Sequence, residues 1–167
     1  MVTAEQLYEK LKDIHVGNPV CQFTKENCEL LLPTIERIEK IKREKNAIIL
    51  AHNYIAPQIF YSVADYTGDS YGLSKNAKES DADIIVFVAV RFMAETAKIL
   101  NPKKIVLDPN PYGGCSLADG ITDADVISLR QQFPDHTFVC YINTTASVKA
   151  QCDVCVTSSN VYKIIEK

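Results

Sequence analysis

No apolar run in this chain approaches the roughly 20 residues that a bilayer-spanning helix needs, which argues against a membrane protein. Basic charge is not in excess: the net charge is −3 and Lys and Arg are scattered, so there is no footprint for a nucleic-acid backbone. The opening Met1-Val-Thr-Ala-Glu-Gln6 is polar and acidic, unlike a secretory signal. Neither GxGxxG nor GxxxxGK followed by Ser or Thr occurs, which removes two common phosphate-cradling loops. No second CxxC and no His pair is available to complete a tetrahedral zinc site with Cys152-Asp-Val-Cys155. Linkers, low-complexity runs and sequence repeats are absent too. What remains is 47% hydrophobic and 23% charged, the composition of an ordinary globular chain, with a cytoplasmic enzyme as the expectation. In a reducing compartment its six cysteines are read as thiols and not as a disulfide framework.

The chain alternates apolar runs with helical patterns. Thr3-Ala-Glu-Gln6 is a capping box for a short helix bearing Leu7, Leu11 and Ile14. An irregular connection is expected from His15 to Cys28, then an amphipathic helix over Thr34–Lys45. Ala47–Ala51 is a buried parallel strand, and Pro57 suits the first turn of a helix through Gln58–Tyr66. Ser70 is positioned to cap a helix over Tyr71–Glu79. Asp83–Val90 and Ile105–Leu107 are the next strands, separated by a helix lined by Met93, Ala97 and Leu100 that stops at Asn101-Pro102. Thr122–Phe133 is helical, Phe138–Ile142 a strand, Thr145–Gln151 a short helix and Val154–Val156 a strand. Ser159 is expected to cap a last helix with Val161, Ile164 and Ile165 facing inward. This alternation implies right-handed βαβ units, parallel sheets and an α/β fold of three-layer αβα units. The expected organisation is a helical segment over 1–45, an αβα domain over 46–118, and an incomplete second αβα domain over 119–167.

The stretch Pro109-Asn-Pro-Tyr-Gly-Gly-Cys-Ser-Leu-Ala-Asp119 is the focus of the reading. It is a Pro- and Gly-rich loop just past a buried strand, where open α/β sheets place their chemistry. In it Cys115 is expected to be exposed, as a nucleophile or a metal ligand. His52-Asn53-Tyr54, Tyr141-Ile142-Asn143 and Thr157-Ser158-Ser159 also end strands, so with parallel strands all these ends share one side. A lone His after a strand is more often structural than functional, but the nearby Tyr54 makes an acid–base pair or a carboxylate anchor plausible chemistry. The hydroxyls at the starts of the Ser70 and Ser159 helices, together with Asn143, suggest a small, doubly anionic substrate, although either helix start alone is more often a simple cap. Cys140, and Cys155 within its apolar strand, are read as buried; a redox role for Cys152-x-x-Cys155 is the weaker reading. Cys21 and Cys28 carry no assigned role.

Ala51-His-Asn-Tyr54, Ala64-Asp-Tyr-Thr-Gly-Asp-Ser70, Phe92-Met-Ala-Glu-Thr-Ala-Lys98, Gly114-Cys-Ser-Leu-Ala-Asp119, Tyr141-Ile-Asn-Thr-Thr-Ala-Ser-Val-Lys149 and Cys155-Val-Thr-Ser-Ser-Asn160, in that order, resemble the quinolinate synthase family. The resemblance runs from about Ile48 to the end of the chain. It implies condensation of iminoaspartate (iminosuccinate) with dihydroxyacetone phosphate to quinolinate in NAD biosynthesis. It also implies three αβα domains, each giving one cysteine to a 4Fe–4S cluster whose open iron is a Lewis acid. By that resemblance Cys115 is a cluster ligand, and His52 and Tyr54 contact substrate and transfer protons. Ser70, Tyr141, Asn143 and Ser158 bind substrate, with Asp69 and Met93 lining the cavity. The family's other two cluster cysteines have no match here, and family members are longer. The expectation is a fragment, inactive alone, that needs the missing C-terminal half or a second copy. The competing reading is a non-catalytic αβ chain, or one piece of a split enzyme, docking a partner that completes the site.

Overall fold

Thr3 opens the first helix, α1 (Ala4–Leu11), with the expected capping box: its side chain accepts from the Gln6 N–H, and the Gln6 side chain accepts from the Thr3 N–H. The computed structural model describes residues 2–15, 23–110 and 112–166, with the side chains of Ser70 and Tyr71 outside that set. Cys21 and much of the connection expected after His15 lie outside the described residues. The next helix, α2 (Lys25–Glu44), begins well before Thr34, because Thr24 caps it by accepting from the Asn27 N–H. Pro33 sits inside α2, where its missing N–H removes one helical hydrogen bond without ending the helix. Leu7, Leu11, Cys28 and Ile35 from these helices share a buried cluster with Ile49 and Val63.

The chain then forms β1 (Ala47–His52), α3 (Pro57–Phe60), β2 (Tyr66–Gly68), α4 (Ser70–Glu79), β3 (Ile84–Val88), α5 (Arg91–Leu100) and β4 (Ile105–Leu107). The four strands make one parallel sheet in the order β2-β1-β3-β4. β1 lies inside the sheet, and Leu50, Ala51, Ile85 and Phe87 are fully buried, as continuous apolar runs in a covered parallel sheet require.

Two expectations fail here. The helix after Pro57 stops at Phe60, and the polar stretch Tyr66–Gly68 becomes a strand. Asp65 accounts for the change: its N–H donates to the Ile49 carbonyl (2.9 Å) and its Oδ2 accepts from the Ile49 N–H (2.7 Å). Lys42 of α2 secures the same corner, its Nζ donating to Asp65 Oδ1 (2.8 Å), Glu39 Oε1 (2.7 Å) and the Val63 carbonyl (2.9 Å). The second failure is Leu100, which is 51% exposed and so does not line the buried side of α5 with Met93 and Ala97.

The remaining elements are α6 (Asp123–Gln132), β5 (Val139–Tyr141), α7 (Ala146–Ala150), β6 (Val154–Val156) and α8 (Val161–Ile165). β5 and β6 pair in parallel, with Val139, Cys140 and Tyr141 opposite Val154, Cys155 and Val156. Arg130 holds α6 to this pair: Nε donates to the Gln151 carbonyl and Nη2 to Asp153 Oδ1, both at 2.6 Å, while its guanidinium lies 4.7 Å from the Phe138 ring centroid. Ile165 is 65% exposed and no residue of α8 is buried, so the inward face expected for this helix is not formed. Its N-cap is Asn160, without a side-chain cap bond, in place of Ser159.

By compactness the chain comprises two units, one of Met1–Ala89 with Ala97–Pro109 and the other of Val90–Thr96 with Asn110–Lys167. Both hold parallel sheets with helices around them, the α/β class expected from the strand–helix alternation. No helix among the described residues is long and apolar enough to cross a membrane.

Candidate functional site

In the first unit the register places His52, the last residue of β1, opposite Gly68, the last residue of β2. Two strand ends therefore deliver His52-Asn53-Tyr54 and Gly68-Asp69-Ser70 to one edge. The His52 and Tyr54 rings lie 3.9 Å apart between centroids, tilted by 38°. Tyr54 is 57% exposed, whereas His52 Nδ1 is buried and has no hydrogen-bond partner among the described residues. A buried ring nitrogen left unpaired is uncommon in a settled core and marks a position that can engage a ligand. Burial lowers the His52 pKa below its ordinary 6.5, and the nearby Asp69 carboxylate opposes that shift through its charge. The imidazole is thus held neutral at pH 7 and able to accept a proton.

Asp69, and not Ser70, caps α4, accepting from the Gly72 N–H at 2.8 Å. A carboxylate accepts where an anion would accept, so the α4 start is already met by the chain's own charge. Ser70 opens α4, and its side chain lies outside the described ones.

In the second unit Met93 is buried in the first turns of α5. Cys115 is half-buried, not fully exposed as expected, in a loop tied down by a short carboxylate clasp. Asp119 Oδ2 accepts from the Cys115 N–H (2.9 Å), and the Asp119 N–H donates to the Cys115 carbonyl (2.8 Å). Gly114 permits this clasp, since a Cβ there would sit 2.7 Å from Asp119 Oδ2. Asp119 is a positioning residue; it closes the Gly114–Asp119 motif in the sequence, but its role as a clasp is visible only in the fold of the loop.

β5 and β6 deliver the other candidates. The Tyr141 hydroxyl and Ser158 Oγ are 2.9 Å apart, and either can donate. Two hydroxyls sharing one bond keep a second hydrogen to offer a ligand oxygen. Asn143 is half-buried just past β5, followed by Thr144, whose buried Oγ1 has no partner among the described residues. At the second hydroxyl-rich helix start the polar groups bond one another within the loop. Thr157 Oγ1 and Ser159 Oγ bond each other at 2.9 Å, and Asn160 Oδ1 takes the Thr157 N–H at 2.7 Å. Cys155 is not buried as expected; it is exposed, because the two-stranded sheet leaves its thiol uncovered.

A 4Fe–4S cluster is held by a set of thiolates. Among the described residues no group of three or more His, Cys, Asp or Glu is placed to hold a metal ion. Cys115 offers one half-buried thiol, and the described residues alone do not fit a cluster.

Each unit is of the α/β class and carries polar side chains past the carboxyl ends of its own parallel strands, His52, Tyr54 and Asp69 in the first and Tyr141, Asn143 and Ser158 in the second. The family described as "Quinolinate synthetase A protein" matches residues 36–167, and the chain belongs to that family. It is 54% identical over 146 residues to a quinolinate synthase of Aquifex aeolicus, covering 87% of this chain and 44% of that protein. It is 47% identical over 162 residues to one of Sinorhizobium medicae, covering 97% of this chain and 43% of the relative. Against one of Caulobacter vibrioides the identity is 53% over 134 residues, 80% of this chain and 36% of the other. The chain thus spans less than half the length of these curated relatives.

Proposed function

We propose that this chain supplies part of a quinolinate synthase, a transferase that condenses iminoaspartate with dihydroxyacetone phosphate to quinolinate in cytoplasmic NAD biosynthesis. The observation that carries the reading is the neutral, unpaired His52 Nδ1 beside Tyr54, since forming a pyridine ring from an imine and a triose phosphate requires repeated proton transfers. His52 accepts a proton and Tyr54 donates one. The Tyr141–Ser158 hydroxyl pair and Asn143 hydrogen-bond the carboxylate or phosphate oxygens, while Ser70, Asp69 and Met93 line the substrate's surroundings. Cys115 contributes one thiolate to the 4Fe–4S cluster, with the remaining ligands supplied by further chain or by a second copy. The full reaction needs that complement, and quinolinate formation is expected only when it is present.

The test has two readouts. Titrating a four-carbon dicarboxylate into the isotope-labelled chain is expected to shift the His52 and Tyr141 ring resonances, and His52→Ala is expected to weaken binding at least tenfold. Unmoved rings at millimolar ligand would remove both from the binding set. Iron and sulfide per chain after anaerobic reconstitution, compared with Cys115→Ala, tests the thiolate: cluster content unaffected by the substitution would exclude Cys115 as a ligand.

A further inference from the structure

Cys140 and Cys155 stand directly opposite each other on β5 and β6, and their sulfurs are 3.2 Å apart. Paired strands hold opposed Cα atoms roughly 4.8 Å apart, inside the ~4.4–6.8 Å span a disulfide tolerates. The two thiols differ in access: Cys155 is exposed and Cys140 is buried. Burial, with the adjacent Cys155 and Cys152 sulfurs, pushes the Cys140 thiol well above its ordinary 9.0 and keeps it protonated. Lys149, its Nζ donating to Thr96 Oγ1 at 2.7 Å, lies nearby; burial lowers its pKa, and the two sulfurs and Glu95 oppose that shift through their charge.

We propose that Cys140 and Cys155 are a redox-active cross-strand pair that forms a reversible disulfide by exchange with a low-molecular-weight disulfide such as oxidised glutathione. Cys155 thiolate attacks one sulfur of the small disulfide RSSR, forming Cys155–S–S–R and releasing RS⁻. Cys140 then attacks Cys155 Sγ as its thiol proton passes to the released RS⁻, forming the Cys140–Cys155 bond and expelling the second RS⁻. The two cysteine sulfurs are oxidised, both sulfurs of RSSR are reduced, and the released thiolates take up the two protons. The pairing differs from what the sequence spacing suggests, since the partner of Cys155 is the strand neighbour Cys140 and not Cys152 of the CxxC. Tyr141 directly follows Cys140 and Ser158 lies just beyond β6, so the bond would clamp the register on which the Tyr141–Ser158 contact depends.

The chain is equilibrated with oxidised glutathione, alkylated, and mapped by non-reducing peptide mass spectrometry. The expected result is a Cys140–Cys155 peptide, with a loss of two titratable thiols that dithiothreitol restores. Cys152→Ser is expected to leave that bond intact. Cys155→Ser is expected to abolish it, and circular dichroism on the same sample shows whether that variant is folded. The wild-type map decides the question without any variant. A Cys152–Cys155 or Cys140–Cys152 bond, a glutathione adduct on Cys155 that never resolves, or no disulfide would each overturn the proposal.

Discussion

His52 and Gly114 show what single positions do. Burial favours neutral His52 in the folded chain, whereas the unfolded chain takes up a proton at an ordinary 6.5. The unfolded state therefore binds more protons as pH falls below about 6.5, and the folded state loses stability there. Urea melts are expected to show a larger drop between pH 7 and pH 5.5 in the wild type than in His52→Gln, and equal drops would contradict a depressed His52. At Gly114, an alanine Cβ would displace the Asp119 carboxylate and free the Cys115 N–H. Gly114→Ala is expected to cost about 1 kcal/mol, the worth of the lost hydrogen bond, and to raise the iodoacetamide reactivity of Cys115. An unchanged melt and an unchanged alkylation rate would show that the loop does not depend on the clasp. His52, Tyr54 and Cys115 could be picked out from the sequence because each follows an apolar run that reads as a strand. The Asp119 clasp could not, because its contact depends on the fold of the loop and not on residue type.

Among the elements, the corner where α2, β1 and β2 meet is secured by Lys42. The side chain is only 9% exposed and serves Asp65, Glu39 and the Val63 carbonyl together. Asp65 and Glu39 are partly exposed, so removing the amine costs the hydrogen bonds to charged groups and the Val63 carbonyl's partner, roughly 1.5–3 kcal/mol. Lys42→Ala is expected to lower the urea midpoint accordingly, and a loss under about 1 kcal/mol would mean that water takes over the role of the amine. This corner also explains the missed strand. Buried strands announce themselves by apolar runs, as β3 and β6 did, and helices by a residue of capping type at their start, as Ser70 did for α4 and Thr122 for α6. Tyr66–Gly68 has no such run and becomes a strand through the Asp65–Ile49 bonds, whose partners lie 16 residues apart. The early start of α2 was hidden too, because the apolar period is lost ahead of Cys28 and the helix opens there through the Thr24 cap and the packing of Cys28.

For the whole molecule, the alternation of strand and helix was enough to predict parallel α/β units, but not how completely each unit covers its apolar side chains. In the first unit Ile99, Leu100, Ile105 and Leu107 are each about half exposed, and in the second Ile127, Leu129, Phe133 and Val139 are similarly open. An edge strand with exposed apolar residues is a template for association. Sedimentation velocity is expected to show concentration-dependent self-association, reduced by Ile105→Lys on β4, and a single monomer boundary at every concentration would exclude it. The buried Lys42 amine gives the molecule a clock. A reagent that acetylates amines from solution reaches the surface lysines at once but reaches Lys42 only when its corner opens. At low reagent its modification rate therefore reads how often the first unit breathes.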